Sequence, residues 1–432
     1  MIPAIRRFLG LEHIRHFMTL FSSSVIGQGL SLALSPLLSR LFTPEDFGLV
    51  ALYLGIISVM SVITTGKYEQ AIMLPQEDKA AVHLFRLVLV VALVISLITA
   101  ILSVTLNQFI TGLLGNPDIS PWLYAIPVSL MLHAMIHAAT FYSNRTKKFS
   151  RIAQTTLTQN ISLNGVRVLT GWFQTPANGL VLGQLAGHFA AMGSIFWKTL
   201  KQIRRLHVPF SFSALKKQAA VYSQYPRFNM PVSLTNNLSG SLPIFLFTWG
   251  FSAEIAGLYA FGYTFVFRPV SLFSQSTQQV LSQKMIENHH HGKSIYPSLK
   301  KMVQRFFLAG IIPLIIFAIW APDLFAFVFS ENYETSGKYL QILSPWLFMV
   351  FLTSPLTFIH ELFFRQKKAM VIDIIYLILR FFALMTGIWL QDVMIALTLF
   401  SAVSTLTIGY KLFWYMQLAR NRQHTNPTQT AP

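Results

Sequence analysis

The chain reads as an all-α polytopic membrane protein: about twelve transmembrane helices in two six-helix lobes related by a parallel repeat, with both termini cytoplasmic. Three observations lead there. Only 11% of its residues are charged and 53% are hydrophobic, whereas about a quarter of a soluble domain is charged. Its Lys and Arg residues gather in alternate loops. A short motif near the start of the chain returns half a chain later.

A helix needs about 20 mostly apolar residues to cross the hydrocarbon core, and such segments succeed one another along the sequence. The N-terminal lobe, residues 1–197, holds spans at 18–39, 47–65, 82–106, 122–143, 153–174 and 178–197. The start of the chain is basic and then apolar, with no small-residue cleavage site. It reads as a retained first span and not as a removed signal peptide. Residues 198–227 form a basic cytoplasmic linker. The C-terminal lobe, residues 228–417, holds spans at 228–249, 254–275, 303–321, 339–360, 370–390 and 393–415, and residues 418–432 are a cytoplasmic tail. Spans 153–174 and 228–249 are the least apolar. Seven prolines, Pro36, Pro127, Pro231, Pro243, Pro269, Pro313 and Pro355, fall within spans and predict kinks, which transporters tolerate where neighbours or water satisfy the freed carbonyls.

The loops test this count. One set carries Lys67, Lys79 and Arg86, then Arg145, Lys147, Lys148 and Arg151, then the linker cations, then Lys284 to Arg305, then Arg365, Lys367 and Lys368. The opposite set carries Glu45, Asp46, Asp118, Glu254, Asp323, Glu331, Glu334 and Asp392, with few cations. Cytoplasmic loops attract Lys and Arg, and a misplaced span would scramble the alternation. The net charge of +18 is therefore topological, and nucleic acid is not an expected partner. The absence of cysteine excludes disulfides, thiol catalysis and cysteine–metal sites. No Walker loop, paired-carboxylate site or nucleophile motif appears, so neither an enzyme nor a cofactor is expected.

The returning motif is "LFTPEDFGLVAL" from Leu41, echoed by "FSAEIAGLYAF" from Phe251. At a spacing of 209, Thr43 meets Ser252, Glu45 meets Glu254, Gly48 meets Gly257, Ser24 meets Ser233 and Gln28 meets Asn237. Further on, "NRTKKF" at Asn144 matches "FRQKKA" at Phe364 at a spacing of 220, implying 11 extra residues in the second half, placed around "NHHHGKS". Six spans per half put both copies in one orientation, a parallel repeat about an axis along the membrane normal. Glu45 and Gly48 read as structural residues of the turn.

The turn at residues 42–48 and the segment Lys67-Tyr68-Glu69, Ala71-Ile72 and Pro75 resemble bacterial polysaccharide biosynthesis membrane proteins. These are Wzx-type lipid-linked oligosaccharide flippases of the multidrug, oligosaccharidyl-lipid and polysaccharide exporter superfamily. The resemblance implies twelve helices around a central cavity in the bacterial inner membrane. It also implies transfer of an undecaprenyl-pyrophosphate-linked glycan between leaflets for surface polysaccharide assembly. The polysaccharide polymerase and chain-length machinery are candidate partners, besides membrane lipid.

Polar groups at membrane depth are costly and face an interior or a wet cavity. Ser24, Gln28, Ser31 and Ser35 form one stripe on the first span, and Asn229, Ser233, Asn236 and Gly240 form another on the seventh, with Asn237 beside it. Packing would account for either, but their matched placement favours cavity lining. Arg167, Arg268 and Arg380 lie deep within spans and are read as substrate-binding, a guanidinium fork suiting a pyrophosphate. Arg40 and Lys338, near external ends, can snorkel. Asp373 and Glu69 are candidates for coupling or gating, Asp373 also as an indirect partner of Arg380. His133 and His137, at i and i+4, read as hydrogen-bonded structural histidines, and the His289 run as a solvated loop. The alternatives are a small-molecule exporter, which would want buried acids for a cationic drug, and a polysaccharide polymerase or ligase, which would want a large external loop.

Overall fold

The computed structural model describes residues 2–174, 176–290 and 294–421. Residues 291–293, in the loop where the sequence places the insertion, and the tail beyond 421 lie outside them. Among the described residues there is no strand, and twelve helices have 20 or more residues. They are α1 (Ile2–Leu41), α2 (Pro44–Thr65), α3 (Asp78–Thr105), α4 (Ile126–Arg145), α5 (Phe149–Trp172) and α6 (Pro176–Arg204). The rest are α7 (Met230–Gly250), α8 (Ala253–His290), α9 (Tyr296–Val328), α10 (Glu334–Thr353), α11 (Gln366–Trp389) and α12 (Val393–Asn421). Each overlaps one predicted span. Among the described residues, length and apolarity alone qualify seven segments to cross a membrane, namely those of α2, α3, α6 and α9–α12. An eighth is a pair, Pro117–Leu123 with α4, bent by 54°. The remaining long helices, α1, α5, α7 and α8, carry the polar stripes, Asn160, Asn164, Arg167 and Arg268.

The start of α2 is written in its sequence. Thr43 Oγ1 accepts from the Asp46 amide at 3.3 Å and Asp46 Oδ2 accepts from the Thr43 amide at 2.8 Å, a capping box with Pro44 in the first turn. At the same spacing of 209, Ser252 Oγ accepts from the Ile255 amide at 3.2 Å and starts α8. Ile255 has no oxygen to return the bond.

A second register is set by backbone reversals. α5 and α11 both have 24 residues. Each is preceded by a left-handed residue, Lys147 (φ 56°) and Phe364 (φ 53°), and each is succeeded by one, Gln174 (φ 53°) and Gln391 (φ 55°). The bonds closing the first reversal match too: Lys148 N to Ser143 O at 2.8 Å and Arg365 N to His360 O at 2.7 Å. All these pairs lie 217 apart, which replaces the spacing of 220 read from the basic residues and lowers the insertion from 11 to 8. The physical reason is that a reversal fixes residues singly, whereas a loop cation only has to lie on the correct side of the membrane.

The chain packs as two compact units, Met1–Gly257 and Leu258–Pro432. In the first, α5 lies between α1 and α6, α3 packs on α4, and α2 is central, against α4, α6 and α7. Leu52 and Tyr53 of α2 are fully buried, and the Tyr53 hydroxyl bonds Ser129 Oγ at 2.6 Å. The segment 198–227 carries the end of α6, a helix Phe212–Val221 and a π-helical turn Tyr225–Asn229. In the second unit α10 packs on α9 and α12, and α11 packs on α12.

Within the first unit the repeated turn meets its own copy. A Cβ on Gly48 would land on the Ala253 carbonyl oxygen, and one on Gly257 on the Pro44 carbonyl oxygen. Pro44 and Ala253 are related by the same spacing as the two glycines, so the contact is reciprocal. Backbones approach this closely in membrane proteins only where side chains are absent.

Glu45 is exposed, whereas Asp46 is 5% exposed and bonded, so the structural burden predicted for Glu45 falls on Asp46. Asp46→Ala should cost about 1 kcal/mol, and Gly48→Val about 3 kcal/mol or more through overpacking. Glu45→Ala should stay within about 0.5 kcal/mol. Thermal unfolding of the detergent-purified variants orders them; a Gly48→Val protein as stable as the parent would refute the close contact.

Candidate functional site

The polar stripe of α1 meets a matching stripe on α5. Ser31 accepts from Asn164 Nδ2 at 2.9 Å, and Asn164 is 1% exposed. Gly27 leaves room for the Asn160 side chain. This end of the stripe is a hydrogen-bonded seam, as expected where helices associate in lipid, while Ser24 and Gln28 are half-buried. On α7, Asn237 Nδ2 donates to the Ser58 carbonyl at 2.7 Å and ties α7 to α2. Ser233 is half-buried and Asn236 exposed. Sequence reasoning missed Asn160 and Asn164, although two amides one turn apart in a weakly apolar helix were a legible signal.

At the end of α2 the helix breaks. Gly66 (φ 55°) and Lys67 (φ 62°) are both left-handed, and the short helix Tyr68–Ala71 comes next. The equivalent stretch of α8 runs on unbroken to His290. The break turns Glu69 inward, where it is 4% exposed with one carboxylate oxygen unpartnered. Burial raises the Glu69 carboxyl above its ordinary value, opposed by a hydrogen bond from Thr65. Lys67 is half-buried and within electrostatic reach of His133 and His137. Those two rings stack on α4 at 4.0 Å and 22°, and His133 Nδ1 has no hydrogen-bond partner. The expected hydrogen-bonded pair is thus a stacked pair, because i and i+4 positions bring two flat rings face to face. His188 of α6, which sequence reasoning passed over, is 5% exposed and accepts from the Gln184 amide at 2.9 Å.

The three deep arginines have three different surroundings. Arg167 of α5 is half-buried, and its Nε donates to the Leu180 carbonyl of α6 at 3.3 Å. Arg380 of α11 is 4% exposed, with its guanidinium 4.2 Å from the Phe400 ring centre, 4.7 Å from Tyr376 and 5.3 Å from Trp346. An aromatic cage of this kind stabilises a desolvated cation. Arg268 of α8 is half-buried and makes no ion pair or hydrogen bond among the described residues. Asp373 forms an ion pair with Lys411 of α12, so its charge is taken up there and not by Arg380. Beside that pair, the Tyr415 hydroxyl and His360 Nδ1 lie 3.3 Å apart.

Each of the two units thus carries polar and cationic side chains within long helices. The family model described as polysaccharide biosynthesis protein matches residues 37–337. The chain belongs to that family. Among curated proteins none matches it in sequence. Among solved structures it is similar to an inward-facing multidrug resistance MATE family transporter of the MOP superfamily, with a TM-score of 0.66 and 12% identity over 95% of this chain and 96% of that one. The lipid II flippase MurJ, in an inward closed conformation, gives 0.72 and 13% over 94% and 90%. The MATE multidrug transporter DinF-BH in complex with R6G gives 0.63 and 17% over 95% and 96%. This family member is a multi-pass membrane protein with the fold of MOP-superfamily transporters.

These surroundings separate the arginines by stability. Arg380→Ala leaves a void among three rings and should cost about 2–4 kcal/mol, whereas Arg268→Ala should stay within about 0.5 kcal/mol; melting of both variants in detergent compares them. For Glu69 the raised folded-state value means that the protonated form is favoured in the fold. Stability is then fullest below the ordinary carboxylate range, near about pH 4, and falls as pH rises through the raised value. Glu69→Gln should remove that decline, so its melting advantage over the parent grows with pH and then levels. Parallel melting curves across pH would show that Glu69 is not desolvated.

Proposed function

We propose that the protein flips an undecaprenyl-pyrophosphate-linked oligosaccharide from the cytoplasmic to the external leaflet of the bacterial inner membrane by alternating access. It feeds the assembly of a surface polysaccharide such as O-antigen, capsule or exopolysaccharide. The polymerase and chain-length machinery that act on the delivered glycan are its proposed partners, and the role is transport without catalysis. Family membership and fold support the reading at the level of a polysaccharide-pathway transporter.

The observation that carries the finer reading is Arg268. A guanidinium within a span is costly without compensation, and Arg268 has none among the described residues. A pyrophosphate would supply it through two parallel charge-assisted hydrogen bonds. Arg167 and the Lys67 break add positive character in the first unit. The stretch from Asp118 to Glu254 holds no acid between them, whereas Glu69 before it is the kind of buried acid that a cationic cargo would use. Ser24, Gln28, Ser233 and Asn236 are proposed to line the path of the sugar, and Glu69 and the Asp373–Lys411 pair to take part in gating. Arg380, enclosed by rings, is proposed to hold the fold of its unit.

Surface glycan in a strain lacking its own flippase tests this. Arg268→Ala should lower surface glycan at least tenfold at unchanged protein abundance, and Arg268→Lys should retain part of it, keeping charge but losing the fork. Normal glycan with both variants would remove Arg268 from the substrate path. Raised drug resistance on expression, with no glycan made by the parent, would favour small-molecule export. On this cysteine-free chain, a single cysteine in the turn after residue 250 should react with an impermeant thiol reagent in intact cells, and one at Lys148 should not.

A further inference from the structure

The segment that leaves α6 carries two faces with opposite fates. α6 carries the span read at 178–197 and runs on as helix past Lys198 and Lys201 to Arg204, so the segment after it begins about two helical turns beyond the end of that span. The inner face is fixed to the bundle. Ile203, Val208 and Leu215 are buried at 3%, 7% and 2%. Arg86 of α3 donates to the Val208 and Pro209 carbonyls, each at 2.8 Å. Ser211 caps the helix Phe212–Val221 through the Ala214 amide at 3.3 Å, and the Tyr68 hydroxyl donates to the Ala219 carbonyl at 3.2 Å.

The outer face is different. Phe210 is 64% exposed and Phe212 71%. Lys216 and Lys217 stand exposed between Phe212 and Val221, and Arg204 and Arg205 precede them. None of these four cations has an ion pair among the described residues. Two phenyl rings and four cations without an ion pair among the described residues, on a short helix and the chain leading into it, match an interfacial segment, whose apolar side chains enter the acyl boundary while its cations meet phosphates.

We propose that residues 204–221 form a binding platform for anionic phospholipid of the leaflet on the basic-loop side. Phe210 and Phe212 enter the acyl boundary, and Lys216, Lys217, Arg204 and Arg205 hold head-group phosphates. The platform fixes the end of α6 to the membrane plane and makes the protein responsive to anionic lipid, whatever cargo it moves.

The full chain tests this directly, since it has no cysteine of its own. Ser213→Cys, on the exposed face, is labelled with an environment-sensitive dye in nanodiscs of phosphatidylcholine alone or mixed with phosphatidylglycerol. Emission should shift blue and acrylamide quenching should fall in the mixed discs. Lys216→Gln with Lys217→Gln should reduce that difference, Arg204 and Arg205 keeping part of it, and should lower the phosphatidylglycerol retained on purification about fivefold per lysine removed. Emission and quenching that are the same in both discs, and unmoved by the glutamine pair, would overturn the proposal. Protection lost only in a Phe210→Ser, Phe212→Ser variant would mean insertion without head-group recognition and would also overturn it. So would protection found in whole membranes but in neither disc, which would assign the face to a protein partner.

Discussion

Two helix starts lie so close that neither can carry a side chain where they touch. Gly48 faces the Ala253 carbonyl and Gly257 faces the Pro44 carbonyl, and the cap hydrogen bonds of Thr43 and Ser252 set the angle at which each helix leaves its turn. Lipid offers no hydrophobic drive between helices, so close backbone approach must do that work. The repeated motif has its cause here: a reciprocal contact requires the same small residue and the same cap on both sides. The rest of the first unit is hung from α2, which has α4, α6 and α7 around it.

The two copies then diverge. α2 breaks at Gly66 and Lys67, whereas α8 runs on through the corresponding length. The break carries Lys67 and Glu69 away from the helix line: Glu69 is buried, and Lys67 comes within electrostatic reach of the stacked His133 and His137 rings of α4. α8 has no such interruption and instead carries Arg268 in mid-helix.

Charge within the spans is handled by three physical means. Arg380 is solvated by aromatic faces, Asp373 by Lys411, and Arg167 by a backbone carbonyl. Each costs less than an isolated ion in a low-dielectric setting. Arg268 has no such device among the described residues, which separates it from the other two and makes it the residue through which an anionic head group is proposed to bind. Outside the spans, Arg204, Arg205, Lys216 and Lys217 have no ion pair among the described residues, and there the lipid surface is the proposed counter-charge.

The sequence by itself determined the class of protein, the places of the twelve long helices found among the described residues, and the repeated turn. These are local or periodic properties: apolar length, the side on which cations gather, and a short motif that returns. Tertiary structure alone decided which of the buried polar groups were already satisfied. Arg167, Arg268 and Arg380 look alike in sequence, because the Trp346 and Phe400 rings that enclose Arg380 come from helices distant in the chain. It also decided the second register of the repeat, 217 and not 220, since left-handed residues such as Phe364 and Gln391 carry no signature in side-chain chemistry. Glu69 was visible as an acid, but its burial depends on a backbone reversal at Gly66 and Lys67 that no spacing of apolar residues records.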